Sequence, residues 1–531
     1  MKRILLFFIF LIIHNVSAQK ELVFVYFKDK PNKANFYSHP SLELSPKSLE
    51  RRTKFGIKLK DEDAPIELNY IETIENMGFP IEGKSKWMNG IAIEMEPQNF
   101  KTITDLSFVS HIETFVKNPS STAGRKIEKF AKESSKRVSE FNYGKTLDQI
   151  NQINLRPLHT LGYTGKNITI AVLDTEFPTV NTGSTFAKIR TNQQIKGTYN
   201  FTTKQTDVYN NAKSSHGTQC FGIIAGYVEN EFVGSAPDAN FYLYTTENAS
   251  VEIPQEELYW IEAAEEADRV GVDIISTSLG YRDFDDPRYN YVYNDMDGET
   301  TFIARGSKIA TEKGIIVVAS AGNEGNSTAY KYILSPADQP KVFSIGSVDV
   351  NGAISSFSSF GPNANQHPKP DVAARGSSTY YTNNNSISSG NGTSFAAPLA
   401  AGGIASLLEA IPTTQPQDIL QQLRISASIY PNYNEQIGYG ILNFYATLET
   451  LKIKENTKGS IVKIHPNPIH QSFSIQSNTM VEKIEIYDML GRFIKQVNTQ
   501  NSYDISELSV GNYLLKIQTS NGIVVEKIIK K

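Results

Sequence analysis

The chain has 531 residues, 40% hydrophobic and 20% charged, with a formal net charge of −4. That length suits roughly three or four domains, and the near-neutral balance gives no sign of a nucleic-acid partner, which needs a clustered basic face. A single cysteine excludes an intrachain disulfide and leaves the redox compartment unreported.

Compartment is read from the N-terminus instead. Lys2 and Arg3 precede the apolar run Ile4 to Ile13, and Val16-Ser17-Ala18 follows, so residues 1–18 read as a signal peptide cut after Ala18. The run is short for a bilayer span, and no later stretch reaches that length. The expectation is an exported protein, soluble or held at a surface by other means.

Residues 19–118 read as a small α+β domain. Leu22 to Phe27 and Gly90 to Met95 are strand candidates. Leu68 to Met77 has apolar residues at helical spacing and stops at Gly78, a C-cap, and Phe100 to Leu106 is a second helix. Residues 119–146 form a linker, whose stretch Ser120 to Glu140 is rich in Lys, Ser and Glu, a composition that is exposed and easily cut.

From 147 to 450, strands alternate with helices. Ile168 to Leu173, Val270 to Ile275 and Ile315 to Ala319 are unbroken apolar strands, and Gln255 to Asp268 and Ile303 to Lys313 are helical. Such a pattern indicates an α/β fold, a parallel sheet with helices on both faces, whose ligands sit at the carboxyl ends of the strands. Asp174 follows one strand and Ala321-Gly322-Asn323 follows another. His216 opens a small-residue apolar helix, Gly217 to Gly226. Ser394 opens another, in Gly392-Thr393-Ser394-Phe395-Ala396-Ala397-Pro398, where backbone N–H groups and the helix dipole favour negative charge.

Each of these residues alone has an ordinary structural explanation, as a turn, a surface histidine or an N-cap. Their chemistry is complementary. A serine hydroxyl becomes a nucleophile when a neutral imidazole takes its proton, and the imidazole needs a carboxylate to fix its tautomer. The oxyanion needs donors in place, which the Asn323 amide and the Ser394 backbone N–H can supply.

The order Asp174, His216, Asn323, Ser394, with His-Gly-Thr and Gly-Thr-Ser-x-Ala-x-Pro around the reactive residues, resembles the subtilisin-like serine proteases over roughly 147–450. The resemblance implies a serine endopeptidase with Asp174 orienting His216, His216 as general base and then acid, Ser394 as nucleophile and Asn323 on the oxyanion. It implies that Ser278-Leu279-Gly280 pairs with an extended protein or peptide substrate and that Ala319 to Gly322, with Ala321 and Gly322, forms the facing wall of the specificity pocket. It also puts Cys220 beneath His216. The chain departs from the family at Glu176, where a small residue is usual, where glutamate is strained if the position needs φ > 0 and where a carboxylate could perturb His216, and at Ala374-Arg375-Gly376. No metal ligand set and no cofactor are expected; structural calcium occurs in the family, but no acidic loop here has the spacing to locate it. The chain is expected to be a monomer. The other reading of the whole chain is a catalytically weak homologue that serves as a surface binding protein.

The same resemblance implies that 19–118 is a propeptide, an inhibitor and folding chaperone, with Trp87-Met88-Asn89-Gly90 and Phe108-Val109 similar to propeptides of secreted Bacteroidetes proteases; a permanent interaction domain is the alternative. Residues 456–531 read as a small antiparallel β-sandwich, with strands at Phe473 to Ile475, Val481 to Tyr487, Tyr513 to Ile517 and Ile523 to Ile528, punctuated by Gly491, Gly511 and Asn521-Gly522. His465-Pro466-Asn467-Pro468, Ile486 to Arg492, Gly511 to Leu514 and the basic end resemble the type IX secretion system sorting domain. That implies passage through the periplasm and outer membrane, the secretion machinery as partner, and a secreted or cell-surface location; a substrate-binding β-module is the alternative.

Overall fold

The computed structural model describes residues 19–117, 141–457, 462–489, 492–497, 502–520 and 522–531. The signal-peptide reading and most of the linker reading lie outside them. The chain divides into two compact units, one reaching Phe444 and one starting at Tyr445.

The first unit opens with the α+β domain. Strands β1 (Glu21–Phe27), β2 (Ile81–Ser85), β3 (Gly90–Met95) and β4 (Val109–Thr114) form an antiparallel sheet in the order β2-β3-β1-β4. Helices α1 (Pro46–Phe55), α2 (Leu68–Asn76) and α3 (Phe100–Thr104) accompany it. Gly78 (φ +91) ends α2 as its position suggested, its N–H bonding Glu75 O. The unbroken apolar run of β1 has a physical reason: both faces of this sheet are covered. Val23, Val25 and Phe27 pack on Ile74 of α2 and Ile103 of α3. Leu22, Phe24 and Trp87 instead share a core with Tyr259, Trp260 and Phe302 of the following domain.

That domain is built on seven parallel strands: β5 (Thr169–Asp174), β6 (Ile195–Asn200), β7 (Asn240–Thr245), β8 (Ile274–Thr277), β9 (Ile316–Ser320), β10 (Phe343–Val348) and β11 (Val372–Arg375). Their order is β11-β10-β9-β8-β5-β7-β6. Helices α4 (His216–Ala225), α5 (Gln255–Val270), α6 (Phe302–Glu312) and α7 (Thr393–Ala410) cover the sheet. Ala171, Leu173, Ile275, Val317 and Ala319 point to the face of α5 and α6, which the N-terminal domain in turn covers. The strand expected at Val270 to Ile275 begins later, at Ile274. Val270 is still helical, and Gly271 (φ +83) closes α5 with its N–H on Ala267 O and Asp268 O. The apolar Val270 and Val272 flank a helix stop and do not begin the strand.

The second unit contains β12 (Val462–His465), β13 (Ser472–Ser477), β14 (Val481–Asp488), β15 (Phe493–Val497), β16 (Tyr503–Asp504), β17 (Gly511–Thr519) and β18 (Gly522–Lys530). They make two antiparallel sheets, β12-β13-β16 and β15-β14-β17-β18, around Phe473, Ile484, Ile486, Leu515 and Ile517. This is the expected small β-sandwich, with longer strands: Gly511 begins β17 and does not precede it, while Gly491 and Asn521 lie outside the described residues.

Candidate active site

A parallel sheet gathers the beginnings of its helices at one end, and the sequence-selected residues meet there. Asp174 is the last residue of β5, His216 the first of α4, Ser394 the second of α7, and Asn323 lies just past β9. Asp174 is fully buried, and its Oδ1 accepts from His216 Nδ1 at 2.7 Å and from the Thr175 N–H at 2.8 Å. Burial pushes the Asp174 carboxyl up, but the His216 imidazole, the Thr175 N–H and the nearby Cys220 thiol together hold it below its usual value. An ionised carboxylate only accepts, so the Nδ1 proton is fixed toward it and Nε2 is left as the acceptor for a serine proton. Gly217 allows this turn: a Cβ there would lie 2.8 Å from the carbonyl oxygens of Thr175 and Glu176.

Ser394 is buried, and among the described residues no hydrogen bond joins its Oγ to His216 Nε2. Such bonds are often long without substrate. Gly392 (φ +153) leaves open space beside the hydroxyl: a Cβ there would stand 3.5 Å from Ser394 Oγ, 3.7 Å from Ser394 N and 3.8 Å from Asn323 Nδ2. A nucleophile and two N–H donors therefore border one vacancy, the arrangement an oxyanion requires.

Several supporting residues escaped the sequence reading. Thr393 donates its N–H (2.8 Å) and its hydroxyl (3.0 Å) to Asn323 Oδ1, which turns Nδ2 toward Gly392. Thr175 Oγ1 accepts the Gly217 N–H at 3.0 Å and so pins the start of α4. Pro398 lies inside α7 and has no N–H for the carbonyl four residues earlier, which is Ser394 O. That oxygen instead accepts from Ser278 Oγ at 2.8 Å and from the Cys220 thiol at 3.3 Å. A proline four residues after the serine was the available signal for this freed carbonyl. Cys220 is 1% exposed, with Sγ 3.8 Å from both ring nitrogens of His216, the position the resemblance implied.

Ser278-Leu279-Gly280 continues from the end of β8, and Ala321-Gly322 from the end of β9. The two segments both meet Leu334: a Cβ on Gly280 or on Gly322 would each lie 2.9 Å from its side chain. The Ser278 side chain in addition holds the Ser394 carbonyl. Glu176 is not among the residues with positive φ, so the strain feared there is absent. Its carboxylate accepts the Ser214 N–H at 3.3 Å. Arg375 is buried and donates to the carbonyls of Ser377 and Ser378. Beside the site, carboxylate oxygens of Glu247, Glu252 and Glu256 lie within 4.8 Å of one another. Glu256 accepts the N–H groups of Asn248 and Ile253, and Glu247 the Tyr281 hydroxyl.

Comparisons with known proteins identify the family. A family model described as the subtilase family matches residues 165–440. A peptidase S8 propeptide domain of the Bacteroidota matches 22–133, and a secretion system C-terminal sorting domain matches 463–531. Subtilisin NAT of Bacillus subtilis subsp. natto is 27% identical over 381 residues, covering 71% of this chain and 85% of that protein. Subtilisin DY of Bacillus licheniformis is 30% identical over 281 residues, 52% of this chain and 89% of that protein. Among solved structures, an epidermin leader peptide processing serine protease from Staphylococcus aureus superposes with a TM-score of 0.55 at 16% identity, covering 82% of this chain and 100% of that one. At that identity the likeness is one of fold.

Proposed function

This chain belongs to the subtilase family and is a serine endopeptidase, and on that premise we propose that Asp174, His216 and Ser394 are its triad and Asn323 its oxyanion donor. The observation that carries the assignment is the shared vacancy at Gly392, bordered by Ser394 Oγ, Ser394 N and Asn323 Nδ2. Substrate lies extended between Ser278-Leu279-Gly280 and Ala321-Gly322. His216 Nε2 takes the Ser394 proton as Oγ adds to the peptide carbonyl, and the oxyanion is held by Asn323 Nδ2 and the Ser394 N–H. The imidazolium, steadied by Asp174, then protonates the leaving amine. A water molecule repeats the sequence on the acyl-enzyme. Side chains and backbone supply all of this chemistry, so the reading includes no cofactor, and a structural calcium is given no site.

In this reading residues 1–18 direct export, 19–118 are the propeptide, 119–146 the self-cleaved linker, 147–450 the catalytic domain and 456–531 the sorting domain. The propeptide and sorting-domain matches support the two flanks. The sorting domain delivers the protein to the cell surface or beyond through the periplasm and outer membrane, and the enzyme acts there as a monomer on proteins.

A serine-directed phosphonate should label Ser394 in the processed protein, and Ser394→Ala expressed alone should keep its N-terminal domain attached. An unlabelled wild type would sink the enzyme reading. Normal shortening of Ser394→Ala would mean another protease does the processing.

A further inference from the structure

Helix α1 of the N-terminal domain delivers Lys47, Arg51 and Arg52 to the end of the catalytic domain opposite the triad. There α5 and α6 finish, just before β8 and β9 begin. Arg51, 4% exposed, donates Nε to Lys313 O at 3.0 Å, Nη1 to Val272 O, and Nη2 to the Asp268 carboxylate and, at 3.4 Å, to Asp268 O. Arg52 takes the rest of the Asp268 carboxylate, Nη1 at 2.9 Å and Nη2 at 2.7 Å, with Nη2 also 2.8 Å from Asp63 of its own domain. Lys47 Nζ reaches Asp273 Oδ2 at 2.6 Å and Thr169 Oγ1 at 2.7 Å.

Ownership of these groups is divided between the domains. The Asp268 and Asp273 carboxylates and all three carbonyls belong to the catalytic domain, while the Asp63 carboxylate belongs to the N-terminal domain and, with Glu62, also meets the catalytic domain's Lys313. Among the described residues, every side-chain cation on Asp268 and Asp273 comes from the N-terminal domain. The acceptors spread in a fan around Arg51, and a guanidinium has a fixed planar fork of five donors to meet them, where an ammonium is a compact point charge. Helix C-termini are negative poles, so α5 and α6 add their field to the charge of Asp268. Asp268 is fully buried, and removing its partners leaves an anion without compensation.

We propose that this junction is a guanidinium-recognition site of the catalytic domain. It holds the N-terminal domain in place after the linker is cut, and it stays open to arginine side chains once that domain has left. The proposal rests on the reading of residues 19–118 as a propeptide that is cut away. The anchor acts at the amino ends of the strands, about 13 Å or more from the triad end along β8, taking four residues at roughly 3.3 Å each. It therefore works independently of whatever the cleaved end does in the substrate cleft.

The test uses the full chain, self-processed and then blocked with a serine-directed phosphonate, with size-exclusion chromatography reporting how much N-terminal domain remains bound. Arg51→Lys keeps the charge but loses the fork and should weaken retention at least tenfold; Arg51→Ala should weaken it by about 10²-fold, as expected when one side of a buried charge pair is removed. If these variants fail to fold, the wild type suffices: L-argininamide should strip the N-terminal domain at concentrations where L-lysinamide and sodium chloride of equal ionic strength do not. Retention unchanged in Arg51→Lys, or equal stripping by all three solutes, overturns the proposal. If the chain does not process itself, the propeptide reading fails, and the retention measurement still runs after cutting the linker with an added protease.

Discussion

At the carboxyl ends of the seven strands α4 and α7 begin, and with them His216 and Ser394; at the amino ends α5 and α6 finish, and Arg51 meets their carbonyls. One end presents N–H groups and the positive poles of helices, which suit a developing oxyanion. The other presents carbonyls and negative poles, which suit a cation. Both follow from one property of a parallel sheet, that its connecting helices all run back the same way. The difference teaches how one scaffold can serve two partners: the donors at one end suit a substrate oxyanion, and at the other Asp268 and Asp273 take cations of the N-terminal domain while Lys313 takes its Glu62 and Asp63.

The largest expected effect breaks the triad end from inside. Asp174, His216 and Cys220 each offer one ligand atom within 4.8 Å of the others, so a mercurial on the thiol has the imidazole as neighbour and displaces it. Activity should vanish with a compact mercurial and survive iodoacetamide, because a thiol 1% exposed is poorly reached by an alkylating agent. Cys220→Ser should keep near-normal activity and resist the mercurial. Equal inhibition of that variant in a peptide-hydrolysis assay would show that the metal acts elsewhere.

The two ends were not equally legible in the sequence. The end that gathers Asp174, His216 and Ser394 could be read because each of these candidate residues sits beside its own local marker: a strand ending at Asp174, and a small-residue helix opening at His216 and at Ser394. Glycine and alanine at those helices are needed for close approach, so chemistry and packing left the same trace. The amino end had no such trace. Arg51 and Asp268 are separated by 217 positions, and a buried charge pair across domains looks in sequence like two solvated residues. Thr393 and Pro398 were hidden differently, in plain view within the motif, because their work is to place a carbonyl or an amide and not to react. Val270 misled because an apolar residue ends a buried helix as readily as it starts a buried strand.

The next effect sharpens what the donors contribute. Asn323→Ala should lower kcat by about 10²–10³ with little change in KM, the loss typical of one oxyanion donor. A loss shared equally with KM would make Asn323 a substrate-positioning residue. Thr393→Val should act through the same amide by removing the hydroxyl bonded to Asn323 Oδ1, and should cost roughly tenfold in kcat, about the worth of one hydrogen bond. Thr393→Ser should restore most of it. In an Asn323→Ala background Thr393→Val should cost little more, whereas additive losses would show that Thr393 acts on something other than the amide.

The smallest effect concerns α5, which spans both ends and carries a buried acid at each. Asp268 near its C-terminus is met by two guanidinium groups, whereas among the described residues no cation meets Glu256 in its first turn. Burial, and then the neighbouring Glu252 carboxylate, push Glu256 up to about 8, despite the backbone N–H groups that favour its ionised form; burial and Asp285 push Glu252 up to about 7. The sign follows from proton counting. Both acids titrate near 4.3 in the unfolded chain, so between roughly pH 4.5 and 8 the folded state holds protons that the unfolded state has released, and stability falls as pH rises. Measured on the full-length Ser394→Ala protein to prevent self-digestion, the melting temperature should be a few degrees higher at pH 5 than at pH 8, equivalent to roughly 1–2 kcal/mol once other groups offset part of the effect. Glu256→Gln keeps an acceptor for one N–H and removes the titration, so it should raise the melting temperature at pH 8, leave it nearly unchanged at pH 5 and flatten the slope between them. An unaltered slope would mean that a cation, absent among the described contacts of Glu256, compensates this carboxylate at the triad end as arginine does at the other.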